Sequence, residues 1–143
     1  MLLEGSRAFQ VQNNMRIEFG DLHLDEHAKA YLLDCVAKNW ISGGEKVKQF
    51  EEAWGTLFGY RHNLAVYSGT GGDIGACMAL YDLGAQRGDE IIAPALAFVA
   101  VGEAILQSGF TPVFVDVEKE TLNINPRLIE QKITPRTRAI LVA

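Results

Sequence analysis

The feature that most constrains this chain is a set of four short apolar runs: Leu64-Ala-Val-Tyr67, Ile91-Ile-Ala-Pro94, Thr111-Pro-Val-Phe-Val-Asp-Val117 and Arg138-Ala-Ile-Leu-Val-Ala143. They are apolar at successive positions instead of alternating, the pattern of strands covered on both faces. Between them lie stretches with helical spacing. Ile74, Cys77, Met78 and Tyr81 form one stripe, closed by Gly84; residues 98–108 form a second helix ending at Gly109; Asn125 caps a third, with Pro126 at its first position. Strand and helix in alternation predict an α/β fold, a mostly parallel sheet with right-handed crossover helices. Two amphipathic helices lead into it. Leu24, Ala28, Tyr31, Leu32, Cys35 and Val36 mark residues 24–38, and Val47, Phe50, Trp54, Leu57 and Phe58 mark a second that Gly59 stops.

A length of 143 residues suits one domain. Thirteen basic against eighteen acidic residues, a formal charge of −5, exclude a general binder of nucleic acid or anionic membranes. No run approaches the roughly 18 apolar residues of a membrane span. Met1 to Gln12 carries Glu4 and lacks the basic and apolar regions of a secretory signal. Cys35 and Cys77 have no paired spacing and read as small buried hydrophobes in a reducing compartment, so the expected location is cytoplasmic. His23, His27 and His62 show no metal-ligand spacing, and no metal is expected. The final apolar run has no turn or cap after it, which leads us to expect the front part of a longer protein.

In an open parallel sheet a ligand sits beyond the carboxyl ends of the strands. The segments after Tyr67, Pro94 and Val115 are therefore the ones to search. Ser68-Gly-Thr-Gly-Gly-Asp73 joins a strand end to a helix start. Glycines there let the backbone approach a ligand, and free N–H groups at the helix end favour an anion such as phosphate. The same turn also reads as a capped connection with no ligand. It is not a nucleoside-triphosphate loop, because no lysine occurs between Lys48 and Lys119. Nor does it carry the dinucleotide fingerprint, since Ile74 stands where the third glycine belongs. Phe98, just past a strand end, reads either as a core ring or as a flat face for a flat ligand. Asp116 reads as a turn-former ahead of Glu118-Lys-Glu120, with an acid or base role as the alternative. No base is placed near Ser68 for a nucleophilic triad.

An ordered set of motifs carries a resemblance. Trp40-Ile-Ser-Gly-Gly-Glu-Lys-Val-Lys-Gln-Phe-Glu51, Val66-Tyr-Ser-Gly-Thr70, Gly88-Asp-Glu-Ile-Ile-Ala-Pro94, Phe98-Val-Ala100, Thr111-Pro-Val-Phe-Val-Asp116, Thr121-Leu-Asn-Ile-Asn125 and Ile133-Thr-Pro-Arg-Thr137 follow in that order. Over residues 17–143 the chain resembles the N-terminal portion of the DegT-like sugar aminotransferases, fold-type I pyridoxal-phosphate enzymes. The resemblance implies an arm at 1–16 and part of the large cofactor-binding domain at 17–143, with a helical lead at 17–60 and a βα sheet at 61–143. It implies transamination of a nucleotide-linked keto-sugar to an amino-sugar, with glutamate as amino donor, by a homodimer. It maps the cofactor phosphate onto Gly69, Thr70 and Gly71, and stacking on the pyridine ring onto Phe98. It also implies that the Trp40–Gly44 loop lies near the sugar site or the dimer seam.

Two departures stand out. Gly71 and Gly72 follow the threonine where the family has alanine or serine, and Ala95-Leu-Ala-Phe98 lacks the hydroxyls of the family's Ser-x-Thr-Phe. No catalytic residue is assigned, because Lys29, Lys38, Lys46, Lys48, Lys119 and Lys132 do not match the family's Schiff-base lysine. Three alternatives stay open: a sugar dehydratase of the same fold with histidine in place of that lysine, a non-catalytic phosphate-binding fragment, and a nicotinamide-dependent oxidoreductase.

Overall fold

A computed structural model describes residue 20 and residues 22–142; the arm expected at 1–16 lies outside them. The chain divides into two units, Met1–Gly59 and Tyr60–Ala143.

In the first unit, α1 spans Glu26–Ala37 and α2 spans Glu45–Phe58. Asp25 starts α1 by accepting the Ala28 N–H at 2.8 Å, satisfying one of the donors a helix start leaves open. Glu26 in the first turn adds a favourable charge. After α1 the chain turns at Asn39, with φ of 52°, and α2 ends at Gly59 with φ of 75°. Phe50, Trp54 and Phe58 recur every four residues, so their rings stack along one face with centroids 5.7 and 4.4 Å apart.

The second unit holds α3 (Gly69–Ala79), β1 (Glu90–Pro94), α4 (Val99–Gln107), β2 (Thr111–Val115), α5 (Pro126–Glu130) and β3 (Thr137–Ile140). The sheet is parallel throughout, in the order β2-β1-β3. The chain steps from β1 to one side and then crosses back to the other. The central strand is buried along its whole length. Cys77, Ala85, Ile91, Ala93, Val101, Ile105 and Phe110 form the core between α3, α4 and the sheet.

Two expectations need correction. Residues 64–67 form no strand and take no place in the sheet, and Leu64 and Tyr67 are exposed. An apolar run becomes a strand only when a neighbour supplies its ladder, and β2 and β3 do not receive this one. The flanking strands are also not covered on both faces: Phe114 of β2 and Ile140 of β3 are each about half exposed. Only β1 meets the both-faces criterion.

The amino edge of the sheet is fastened by charge. Glu90 accepts from Thr134 Oγ1 and Arg136 Nη2, both at 2.6 Å, while its N–H donates to the Arg136 carbonyl at 2.9 Å. Asp89 accepts from Arg138 Nε at 2.6 Å and from the Gln86 N–H at 2.9 Å. The Thr134 hydroxyl, with Arg136 beside it, holds the Glu90 carboxyl below its ordinary value despite burial. Arg138 and the Gln86 N–H do the same for Asp89. This clasp explains two motifs of no obvious role in the sequence, Gly88-Asp-Glu90 and Thr134-Pro-Arg-Thr137: they sew β1 to β3. Register slips by one residue there, Glu90 facing Thr137 but Ile91 facing Ala139.

A carboxylate whose folded value is depressed stabilises fully above its unfolded value and loses that contribution as pH falls through the folded one. Arg136→Met is therefore expected to lower the melting temperature at pH 7, and the gap to wild type should close below the ordinary glutamate value of 4.5, read by calorimetry across pH. Gly109 has φ of +84°, and a Cβ there would sit 3.0 Å from the Tyr81 hydroxyl, which donates to the Ser108 carbonyl at 2.7 Å. Gly109→Ala should cost about 1–2 kcal/mol from the left-handed backbone alone, about 3–8 °C. It should exceed Gly88→Ala, where φ is +87° but the space is open.

Candidate functional site

Because the strands are parallel, their carboxyl ends share one edge, opposite the charged clasp. Phe98 comes four residues after the end of β1 and begins α4, with φ −62° and ψ 143°. The other end of α4 lies beside α3 and the turn after it: Ser108 Oγ donates to the Ile74 carbonyl at 3.5 Å and Tyr81 Oη to the Ser108 carbonyl. Both helices thus run toward the amino edge, and the amino end of α3, like that of α4, is directed away from it, to the carboxyl side.

Ser68 begins α3. Its Oγ accepts the Gly71 N–H at 3.0 Å, and its carbonyl accepts the Gly72 N–H at 3.1 Å as the first helical bond. Among the described residues the N–H groups of Gly69 and Thr70 carry no hydrogen bond. A Cβ placed on Gly69 would meet nothing within 4 Å, so the space beside these donors is open. No acidic side chain occupies the first turn. Asp73 comes later, and its charge adds to burial in pushing the Cys77 thiol up, which keeps that thiol protonated and inert. Donors, hydroxyls and helix dipole at this turn fit a phosphate; the dipole alone contributes about 0.3–1 kcal/mol when exposed.

Phe98 is 73% exposed, so its ring is not a core ring. With Pro94, Ala95, Leu106 and Phe114 it lines an open groove of about 400 Å³. Gly102 keeps that groove narrow, since Phe114 Cζ lies 3.0 Å from where its Cβ would be. Asp116 is a turn-former: its Oδ1 accepts the Val117 N–H at 2.8 Å and its carbonyl accepts the Asn125 N–H at 3.0 Å.

Of the residues the sequence singles out, Gly69, Thr70 and Phe98 therefore present free groups at one edge, while the Gly71 N–H is engaged by Ser68. The sequence reading gives Tyr67 no part beyond ending an apolar run. In the structure its ring lies over Gly71: Cε1 and Cζ are 2.9 and 3.0 Å from a Cβ built there. The signal available was an aromatic and a glycine four residues apart.

In the first unit, the Trp40–Gly44 loop is folded on itself, Trp40 Nε1 donating to the Gly43 carbonyl at 2.9 Å. It borders a cavity of about 340 Å³ with Asp34, Lys38, Glu45 and Lys46 on its walls. Among the described residues, no cluster of three His, Cys, Asp or Glu could hold a metal, and no helix is long and apolar enough to cross a membrane.

Comparison with known proteins gives a consistent picture. Residues 23–143 match the DegT/DnrJ/EryC1/StrS aminotransferase family. The chain is 35% identical over 127 residues to the GDP-perosamine synthase of Caulobacter vibrioides, covering 88% of this chain and 33% of that protein. Among solved structures it resembles E. coli GDP-4-keto-6-deoxy-D-mannose-3-dehydratase with bound hydrated PLP, with TM-score 0.75 and 28% identity over 84% of this chain and 32% of that one. It also resembles Helicobacter pylori PseC, an aminotransferase involved in the biosynthesis of pseudoaminic acid, with TM-score 0.72 and 32% identity over 82% of this chain and 31% of that one. The chain spans about a third of the length of these relatives.

The Ser68 cap can be tested by itself. Ser68→Ala should cost about 1 kcal/mol, as loss of an N-cap oxygen does, seen as a melting temperature lower by about 3–4 °C.

Proposed function

The chain belongs to the DegT/DnrJ/EryC1/StrS aminotransferase family, and from that premise we propose that it holds pyridoxal phosphate at the carboxyl edge of its sheet. The reaction we assign to the whole protein is transamination of a nucleotide-linked keto-sugar to an amino-sugar, with glutamate as donor, in a cytoplasmic homodimer. The observation that carries the reading is the Ser68–Gly72 turn. In a chain 35% identical to a GDP-perosamine synthase, two backbone donors at this turn are left open where α3 begins.

The residues divide the work. Gly69 and Thr70 N–H groups hold the phosphate, with the Thr70 hydroxyl beside them; Gly71 leaves room at the first turn. Phe98 offers its exposed face to the pyridine ring, a contact of about 0.5–1.5 kcal/mol beyond the area it buries. When bound, the cofactor supplies an electron-withdrawing ring that stabilises negative charge next to the amino nitrogen. Proton movement in that chemistry calls for an amine near the ring. None of the chain's lysines lies in the two segments given the cofactor contacts, 68–72 and 94–98, and Lys119, in the segment after β2, does not match the family's Schiff-base lysine. These 143 residues are thus assigned cofactor binding without turnover. Dehydration of a similar keto-sugar is the second reading, favoured by the likeness to the E. coli dehydratase; a histidine in place of the lysine would decide for it.

Added pyridoxal phosphate is expected to bind one per chain and to be displaced by inorganic phosphate. Borohydride should leave no stoichiometric pyridoxyl mass, and glutamate with a nucleotide-linked keto-sugar should yield no amino-sugar. Binding that inorganic phosphate does not disturb would overturn the assignment of the turn. A stoichiometric pyridoxyl-lysine would overturn the assignment of binding without turnover.

A further inference from the structure

A phosphate monoester presents three acceptor oxygens, each with more than one lone pair, while the turn at Ser68 offers two open backbone donors and the Thr70 hydroxyl, because the Gly71 N–H is given to Ser68 Oγ. A further side chain placed at this turn is Tyr67. Its ring occupies the place a Cβ on Gly71 would take, with Cε1, Cζ and Cδ1 at 2.9, 3.0 and 3.3 Å. The Cβ of a helical residue tilts toward the helix amino end, so a ring in that place covers the rim of the first turn instead of the helix flank. The phenol oxygen is one bond beyond Cζ. It carries no hydrogen bond among the described residues, and Tyr67 is 89% exposed. A hydroxyl in that position can turn to a ligand without breaking a contact within the chain.

We propose that the Tyr67 phenol is a further donor of the phosphate cradle, kept at the rim of α3 by the seat its ring takes on Gly71. The proposal rests on the reading of this turn as the cofactor's phosphate site. It also gives Gly71 a reason. Any side chain there would meet the ring at a distance real Cβ atoms essentially never show, and the exposed ring would swing away with its hydroxyl. Tyrosine at 67 and glycine at 71 then act as one unit.

The test compares pyridoxal phosphate with pyridoxal, which lacks the phosphate, on wild type, Tyr67→Phe, Gly71→Ala and the double variant. Tyr67→Phe keeps the ring and removes only the hydroxyl. It should weaken pyridoxal phosphate binding about 10- to 150-fold, the range for one hydrogen bond to a charged group, and leave pyridoxal binding and melting temperature unchanged. Gly71→Ala should weaken pyridoxal phosphate binding to a similar degree, and the double variant should be no worse than the weaker single one, since both remove the same contact. If inorganic phosphate displaces the cofactor from wild type while Tyr67→Phe binds it as tightly or tighter, the turn keeps its role and the tyrosine proposal fails. The proposal also fails if the two substitutions add. If inorganic phosphate does not compete at all, the turn is not the phosphate site and both readings fall.

Discussion

The interior of β1 has no access to water: Ile91, Ile92 and Ala93 are 0–1% exposed. Each of their backbone N–H and C=O groups must therefore find a partner within the protein or lose free energy comparable to a hydrogen bond. Two flanking strands supply those partners, β2 on one side and β3 on the other. Connections that return a parallel neighbour must cross the sheet, and the helix that does so from β1 to β2 is α4. The burial of one five-residue strand thus fixes the direction of its neighbours and the place where α4 begins.

From this follows the separation of the two edges. Charge gathers at the amino edge, where Asp89 and Glu90 are buried beneath their arginine and threonine partners. The carboxyl edge carries helix starts, an exposed ring and open N–H groups. A dianionic ligand at the second edge meets donors, and the buried carboxylates that would repel it are held at the far end of β1. The turn proposed to hold the phosphate, residues 68–72, has no cationic side chain of its own, and under this division it needs none.

How much of this could be read from residues alone depended on the range of the interaction. Local devices were legible. Asn125 caps the helix its identity predicts, and Gly59 and Gly109 end helices in the left-handed backbone that glycine favours. The position of β1 was legible because an apolar run of that kind has one stable environment. Residues 64–67 carry the same local signal, but strand formation depends on a neighbour, which no window of sequence reports. The part played by Thr134 and Arg136 was hidden for a related reason: they meet Glu90 across 44 and 46 positions of chain. At the candidate site, the glycine turn and Phe98 stood out through composition and placement, whereas the seat of the Tyr67 ring on Gly71 depends on a rotamer.

The register slip at the start of β3 has an effect beyond the clasp. In a parallel ladder, facing residues point to the same side of the sheet. Without the slip, Arg138 would stand opposite Ile91 and drive a guanidinium into the apolar layer. The extra residue brings Ala139 there instead and lets Arg138 swing out to Asp89. One surplus residue thus acts as a phase shifter, allowing a positively charged segment to run straight into a strand whose next inward position must be small and greasy.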